Sequence, residues 1–186
     1  MIRKDWGFAI GISLVALVIY LLTLCPTVYV GDSGELTAAA YTLGIAHPPG
    51  YPLLCLAGKI FTWIPLGDIA YRINLLSAVF ATSTVVLLYL LLLKIIQNRI
   101  IASVGSLIFA FSHTFWNNAN IGKSSYAINA FFTVVILLTL YQWSEIKVNR
   151  KKEDANSPDD SARYLYLSGL FFGLGLANHH TILFLL

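Results

Sequence analysis

Charge is what this sequence has least of. Asp, Glu, Lys and Arg make up 11% of its 186 residues, less than half the roughly one-quarter typical of a water-soluble domain. With 58% hydrophobic residues and a mean hydropathy of +0.74, the chain lacks the polar surface a soluble globular protein needs. Cysteine is nearly missing too: Cys25 and Cys55 form no C-x-x-C pair and have no histidine at metal-ligand spacing. That excludes a disulfide scaffold and a zinc site and leaves two packing thiols. The net charge of +3 comes with no base-stacking motif, so a nucleic-acid partner is not indicated. Membrane topology accounts for the basic residues instead.

The few charges are gathered, and six intervals carry none: 6–31, 36–58, 73–93, 100–122, 124–144 and 164–186. Each is long enough to cross a hydrocarbon core of about 30 Å as a helix. The second is broken by His-Pro-Pro-Gly-Tyr-Pro from His47 to Pro52, which leaves about five spans. The expected fold is therefore all-α, a polytopic bundle of transmembrane helices forming a single domain over 1–186. The first apolar stretch, Gly7 to Leu24, is long for a signal peptide, and Leu22, Thr23 and Leu24 lack the small-residue cleavage pattern. It is expected to remain as an uncleaved first span.

Lys and Arg favour the cytoplasmic ends of spans. With the N-terminus inside, the inner side holds Arg3, Lys4, Lys94, Arg99, Lys147, Arg150, Lys151, Lys152 and Arg163, and the outer side holds Lys59, Arg72 and Lys123. Nine against three sets that orientation. Residues 144–163, rich in mixed charge, Asn and Ser, are expected to form a cytoplasmic loop, with docking to anionic lipid through Lys147 to Lys152 as the alternative. The outer connection, 26–70, differs in character. It should contain two short helices, Leu36 to Leu43 and Pro52 to Ile64, lying on or re-entering the outer surface with Tyr51 and Trp63 as interfacial anchors.

Several outer-end residues have the chemistry for a site. Asp32 and Glu35, in Gly-Asp-Ser-Gly-Glu, sit just beyond the first span, where apolar surroundings raise carboxylate pKa values and favour proton acceptance. The same spacing also fits a helix start, with Asp32 as cap and Glu35 reaching back. His47 opens a rigid turn that either presents the imidazole to that helix or merely connects two helices. Arg72 and Lys123 are outer cations able to neutralise a phosphate or to snorkel at the interface. Asn178, His179 and His180 interrupt the last apolar run, where polar groups require a partner or a watery cavity. Two adjacent histidines are too few for a metal.

These blocks, namely GDSGELTAAAYTLGIAHPPGYPL, then Phe115 and Trp116 with Tyr126 to Asn129, then Asn178 to Thr181, resemble in order the N-terminal part of the protein O-mannosyltransferase-like family. Those are multi-pass membrane glycosyltransferases of GT-C architecture. The resemblance covers most of the chain, and its first block is the most specific. It implies transfer of a sugar, mannose by the family name, from a polyprenyl-phosphate carrier to a hydroxyl of a protein or glycan acceptor, at the outer or lumenal face of a cell or endoplasmic reticulum membrane. It also implies an essential acid in the first outer loop, matched here by Asp32 and then by Glu35. His47, Arg72, Lys123, Asn178, His179 and His180 become the expected substrate-binding residues. No cofactor is called for, and metal dependence is open. One departure stands out: the family pattern has a Glu shortly before the middle aromatic, where this chain has Lys123, Ser124 and Ser125. Family enzymes also have many more spans, so an N-terminal fragment of a larger module is expected. The rival reading is a non-catalytic membrane binding or assembly subunit.

Overall fold

The computed structural model describes residues 3–121, 124–153 and 161–185. Over these residues every regular element is a helix: α1 (Arg3–Leu22), α2 (Ser33–Thr42), α3 (Pro52–Phe61), α4 (Ile69–Ile96), α5 (Arg99–Ala110), α6 (His113–Asn120), α7 (Ser124–Glu153) and α8 (Ala162–Leu176), followed by a 3-10 helix, His180–Leu185. Three segments are long and apolar enough to cross a membrane: Asp5–Leu22, Ile69–Ile96 and Ser125–Arg150. A fourth crossing results if α5 and α6, bent by 63° at their junction, act as one broken span. The chain is an all-α membrane helix bundle.

The interval 164–186 differs from the single span expected of it. Helix α8 has 15 residues, about 22 Å of rise against a core of about 30 Å. It stops at Leu176 because Asn178, fully buried, turns its side chain to donate to the Ser125 carbonyl at 2.8 Å. The inner loop also begins later than expected, since α7 continues through Glu153. There Glu145 meets Lys94 of α4 at 3.7 Å, and the cations Lys147 and Arg150 suit a helix C-terminus. Residues 154–160 of that loop lie outside the described residues.

Two clusters hold the bundle. In the first, α1 offers Ala9, Ile12, Ala16 and Tyr20, and α4 offers Ala78, Ala81, Val85 and Tyr89, all buried. Both rows use the same three-then-four spacing, which puts one narrow buried stripe on each helix, and its alanines, Ala9 and Ala16 on α1 and Ala78 and Ala81 on α4, let the backbones approach. Tyr20 closes the stripe by donating its hydroxyl to the Ala110 carbonyl at 2.8 Å, satisfying a carbonyl at the end of α5. The opposite face of α1 carries exposed Phe8, Leu14, Val18 and Leu22, as a lipid-facing surface should. The second cluster joins Leu36, Tyr51, Leu54 and Cys55 to Leu76 of α4, Ile128 and Phe132 of α7, and Ile182. It clamps the two short helices of the 26–70 connection onto the bundle.

Polar contacts define the two ends. At one, Asp5 pairs with Arg99 and Lys94 with Glu145. At the other, Asn74 donates to the Cys25 and Thr27 carbonyls at 2.7 and 3.0 Å, Cys25 N–H donates to Asn120 at 3.0 Å, and Ser77 donates to Ile121 at 3.1 Å. The long helices therefore alternate in direction, and residues 26–68 share one end with α6, the start of α7 and the turn after α8.

Candidate functional site

Helix α2 begins after Asp32, but not by the expected reciprocal cap. Asp32 makes no side-chain cap hydrogen bond, and the side chain of Glu35 reaches to His47 instead. Its Oε1 accepts from the His47 backbone N–H at 2.6 Å, and its Oε2 meets the ring Nδ1 at 2.9 Å. A turn built on Pro48, Pro49 and Gly50 (φ 90°) brings His47 back across the start of α2. Those two hydrogen bonds from His47, ring first, hold the exposed Glu35 carboxyl below its ordinary value.

A carboxylate can only accept, so the proton of the His47 ring lies on Nδ1. In the neutral ring Nε2 is then an acceptor, and the Tyr51 hydroxyl stands 3.1 Å from it. Tyr51 takes a left-handed backbone conformation (φ 49°) immediately before Pro52 opens α3. It is buried, not the interfacial anchor the sequence suggested. Burial pushes its phenol up, and Tyr126, Asp32 and Glu35 add to the effect. The phenol therefore stays protonated and donates.

The His179 ring packs against Tyr51 at 5.6 Å and Tyr126 at 6.2 Å, and stacks on His180 at 4.5 Å. The buried Asn178 side chain fixes this turn to α7, and Leu53 N–H ties it to the start of α3 by donating to Ala177 at 3.2 Å. His179 Nδ1 accepts from the Thr181 N–H at 3.1 Å, which leaves the proton of the neutral ring on Nε2. Burial first, then His180 and His47, hold this imidazole's pKa down. A third support comes from Asn129 of α7, which donates to the Thr181 hydroxyl at 3.0 Å.

Three sequence blocks, 32–35, 47–51 and 178–181, thus meet at one end of the bundle. Glu35, His47, Asn178, His179 and His180 are brought together there, with Asp32 one helical turn before Glu35. Arg72 is placed elsewhere, at the turn between α3 and α4, donating to the carbonyls of Leu66, Thr62 and Gly67 at 2.9, 2.6 and 3.1 Å. Three of the five guanidinium N–H groups are used there, and two remain. Lys123 lies outside the described residues. The sequence reading missed Tyr126 and Thr181 as partners of His179 and Asn129 as the support of Thr181. The signal was available, because Tyr126, Asn129 and Thr181 all belong to the blocks quoted for the family resemblance. Among the described residues, no group of three or more His, Cys, Asp or Glu gathers as a metal site would require.

The fold and this cluster define a helical membrane protein with a histidine–carboxylate centre at one end of its bundle. Residues 32–186 match the family described as protein O-mannosyl-transferase TMEM260 N-terminal domain, and the chain belongs to that family. It is 30% identical over 165 residues to protein O-mannosyl-transferase TMEM260 of Mus musculus, covering 88% of this chain and 22% of the mouse protein. It is 28% identical over 168 residues to protein O-mannosyl-transferase tmem260 of Dictyostelium discoideum, covering 89% of this chain and 20% of that protein. The chain thus spans about a fifth of the length of these relatives. No solved structure matches it.

Proposed function

We propose that this chain contributes the acid-bearing end of a GT-C-type O-mannosyltransferase. It moves mannose from a polyprenyl-phosphate carrier to an acceptor hydroxyl at the outer or lumenal face, with the N-terminus in the cytoplasm. The observation that carries the reading is the meeting of Glu35, His47, Tyr51 and His179, from three distant blocks, beside the exposed carboxylate of Asp32. The names of the relatives support the transferase class, and the excess of Lys and Arg at the opposite end of the bundle supports the orientation.

In this mechanism Asp32 is the general base. Its carboxylate takes the proton from the acceptor hydroxyl as that oxygen attacks the anomeric carbon, and the bond from that carbon to the carrier phosphate breaks with its electron pair on the phosphate. Glu35 is the weaker base, since the hydrogen bonds from His47 to its two oxygens hold its pKa down. It is a positioning residue that fixes the loop carrying His47. The neutral His179 offers Nε2–H as a donor to the departing phosphate, and His180, stacked on it at 4.5 Å, supplies a further hydrogen bond.

A positioned base contributes roughly 10² to 10⁴ in rate. Full-length protein carrying Asp32→Asn should insert normally and lose transfer of radiolabelled mannose from polyprenyl-phosphate mannose by about that factor. Near-normal transfer by this variant removes Asp32 from the mechanism. Saturable binding of the lipid-linked sugar by the wild-type protein, without any turnover, replaces the transferase reading with that of a binding subunit.

A further inference from the structure

Two hollows adjoin at the opposite end of the bundle from the Glu35–His47 cluster, and both are lined by Phe8. The first encloses about 560 Å³ where α1, α4 and α5 meet, with Asp5, Gln97, Asn98 and Arg99 in its wall. The second, about 480 Å³, runs on between α1 and α5, walled by Ile12, Val15 and Leu107. Gly7 and Gly11 also line it, and nothing lies within 4 Å of a Cβ added at either. From Asp5 to Val15 helix α1 rises about 15 Å, and half of a hydrocarbon core of about 30 Å is the same length. The pair of hollows therefore reaches from the charged boundary, where Lys94 and Glu145 also lie, across one leaflet.

The first hollow carries one charge of each sign. Asp5 takes the Nε–H of Arg99. Among the described residues the four terminal N–H groups of Arg99 have no hydrogen bond. A carboxylate has about four acceptor positions, so Asp5 receives a further donor without giving up Arg99. Asn98 spends its Oδ1 on the Ile100 and Ile101 N–H groups at 3.0 and 3.2 Å, which leaves its amide hydrogens to donate. A fixed pair of this kind matches a headgroup that also carries both signs. Phosphate suits the guanidinium, and a primary ammonium suits the carboxylate, whereas a purely anionic headgroup leaves Asp5 opposed to its charge.

The second hollow suits a hydrocarbon chain. Ser103, its one hydroxyl, gives its hydrogen to the Arg99 carbonyl at 2.7 Å and has none to offer a ligand. Spread over the rise from Gly7 to Val15, about 12 Å, the volume gives a cross-section of about 40 Å², less than half that of a helix about 11 Å across. A chain of methylenes fits, and a helix does not. We propose that the two hollows together bind one phosphatidylethanolamine from the leaflet opposite the Glu35–His47 cluster. Its phosphate lies on Arg99, its ammonium on Asp5, and one acyl chain along Gly7 and Gly11. The site is at the far end of the bundle from Asp32 and does not depend on the proposed transfer reaction.

The test is lipid titration of the delipidated full-length protein in detergent, read by native mass spectrometry. The probes are palmitoyl-oleoyl phosphatidylethanolamine, phosphatidylcholine and phosphatidylglycerol. Saturable binding of one phosphatidylethanolamine is expected. Phosphatidylcholine, whose quaternary ammonium has no N–H for Asp5, should bind about tenfold more weakly, the scale of one charge-assisted hydrogen bond. Phosphatidylglycerol should bind no better than phosphatidylcholine. Gly11→Leu fills the groove without a clash and should weaken phosphatidylethanolamine about tenfold, the worth of two methylenes no longer buried. Gly169→Leu, the same change at an open position on α8, should leave binding as it was. Equal affinity for the ethanolamine and choline lipids, tighter binding of phosphatidylglycerol, or unaltered binding in Gly11→Leu overturns the proposal. A lower melting temperature of Gly11→Leu with unaltered lipid binding would also overturn it, by showing that a helix of the full-length protein or of a second copy fills the groove.

Discussion

Glu35 holds His47 at two points, the backbone N–H at 2.6 Å and the ring Nδ1 at 2.9 Å, and so fastens the turn at 43–51 to the start of α2. Because these bonds lower the Glu35 pKa from its ordinary 4.5, the anchor has a defined pH dependence. A depressed carboxylate contributes fully above its unfolded value and loses that contribution as pH falls through its folded value. Protection of the His47 amide against hydrogen exchange should therefore be constant above about pH 5 and fall below 4.5. Glu35→Gln, which keeps one acceptor but no charge, should show the low-pH protection at every pH. Unchanged protection in that variant removes the anchor.

Gly58 of α3 lies directly against Ala40 of α2. A Cβ there would lie 2.7 Å from the Ala40 Cβ and 3.1 Å from the Ile73 side chain. Neither the short Ala40 nor the buried Ile73 can swing aside, so Gly58→Ala should destabilise by about 1–3 kcal/mol through overpacking. Gly169→Ala is the control, because nothing lies within 4 Å of its added methyl. Replacing a glycine inside helix α8 should be neutral or gain up to about 1 kcal/mol. Thermal unfolding in detergent separates the two, and equal melting temperatures refute the packing account.

Asp5 and Arg99 join the first turns of α1 and α5 at the opposite end of the bundle. Asp5 is buried, while Arg99 is about one-third exposed. Removing one partner of a wholly buried pair costs about 3–5 kcal/mol, and solvent access at Arg99 reduces the expected cost of Asp5→Ala to about 2 kcal/mol. Arg99→Ala should cost a similar amount. The double variant should cost less than the two singles together. Strict additivity would mean that the two residues act independently.

Much of this architecture was legible because lipid permits so few solutions. Charge-free intervals became helices, since unpaired backbone groups are not tolerated in hydrocarbon. Pro52 opened α3 as its missing N–H requires. What escaped was decided by competition between partners. The spacing of Asp32 and Glu35 is correct for a capping box, yet His47 offers Glu35 two donors from twelve residues away. Local spacing cannot weigh such a rival. The break after Leu176 escaped for the same reason: the carbonyl that draws Asn178 out of the helix belongs to Ser125, 53 positions earlier. Asn120 and Trp116, which both donate to the Thr23 hydroxyl, showed no periodic signal at all, because that contact arises from the bend between α5 and α6.

Asn178 gives the sharpest test of how the histidine turn is held. It is wholly buried, and its Nδ2 donates to the Ser125 carbonyl at 2.8 Å. Asn178→Asp keeps the shape and reverses the chemistry, since an ionised carboxylate would face that carbonyl oxygen with no hydrogen between them. The acid can restore the bond only when protonated, so burial and repulsion raise its pKa in the folded state. The folded protein then holds a proton that the unfolded chain releases above about pH 4, and stability must fall as pH rises. Asn178→Asp should approach wild-type stability near pH 4–5 and lose about 2–4 kcal/mol by pH 8, the order of an unsatisfied buried polar group. Asn178→Leu, which cannot donate at any pH, should lose about 1–3 kcal/mol without that slope. Melting curves in detergent at both pH values decide the matter. A flat pH response in the Asp variant would show that the side chain escapes to solvent and that the turn carrying His179 is held by something other than the bond to Ser125.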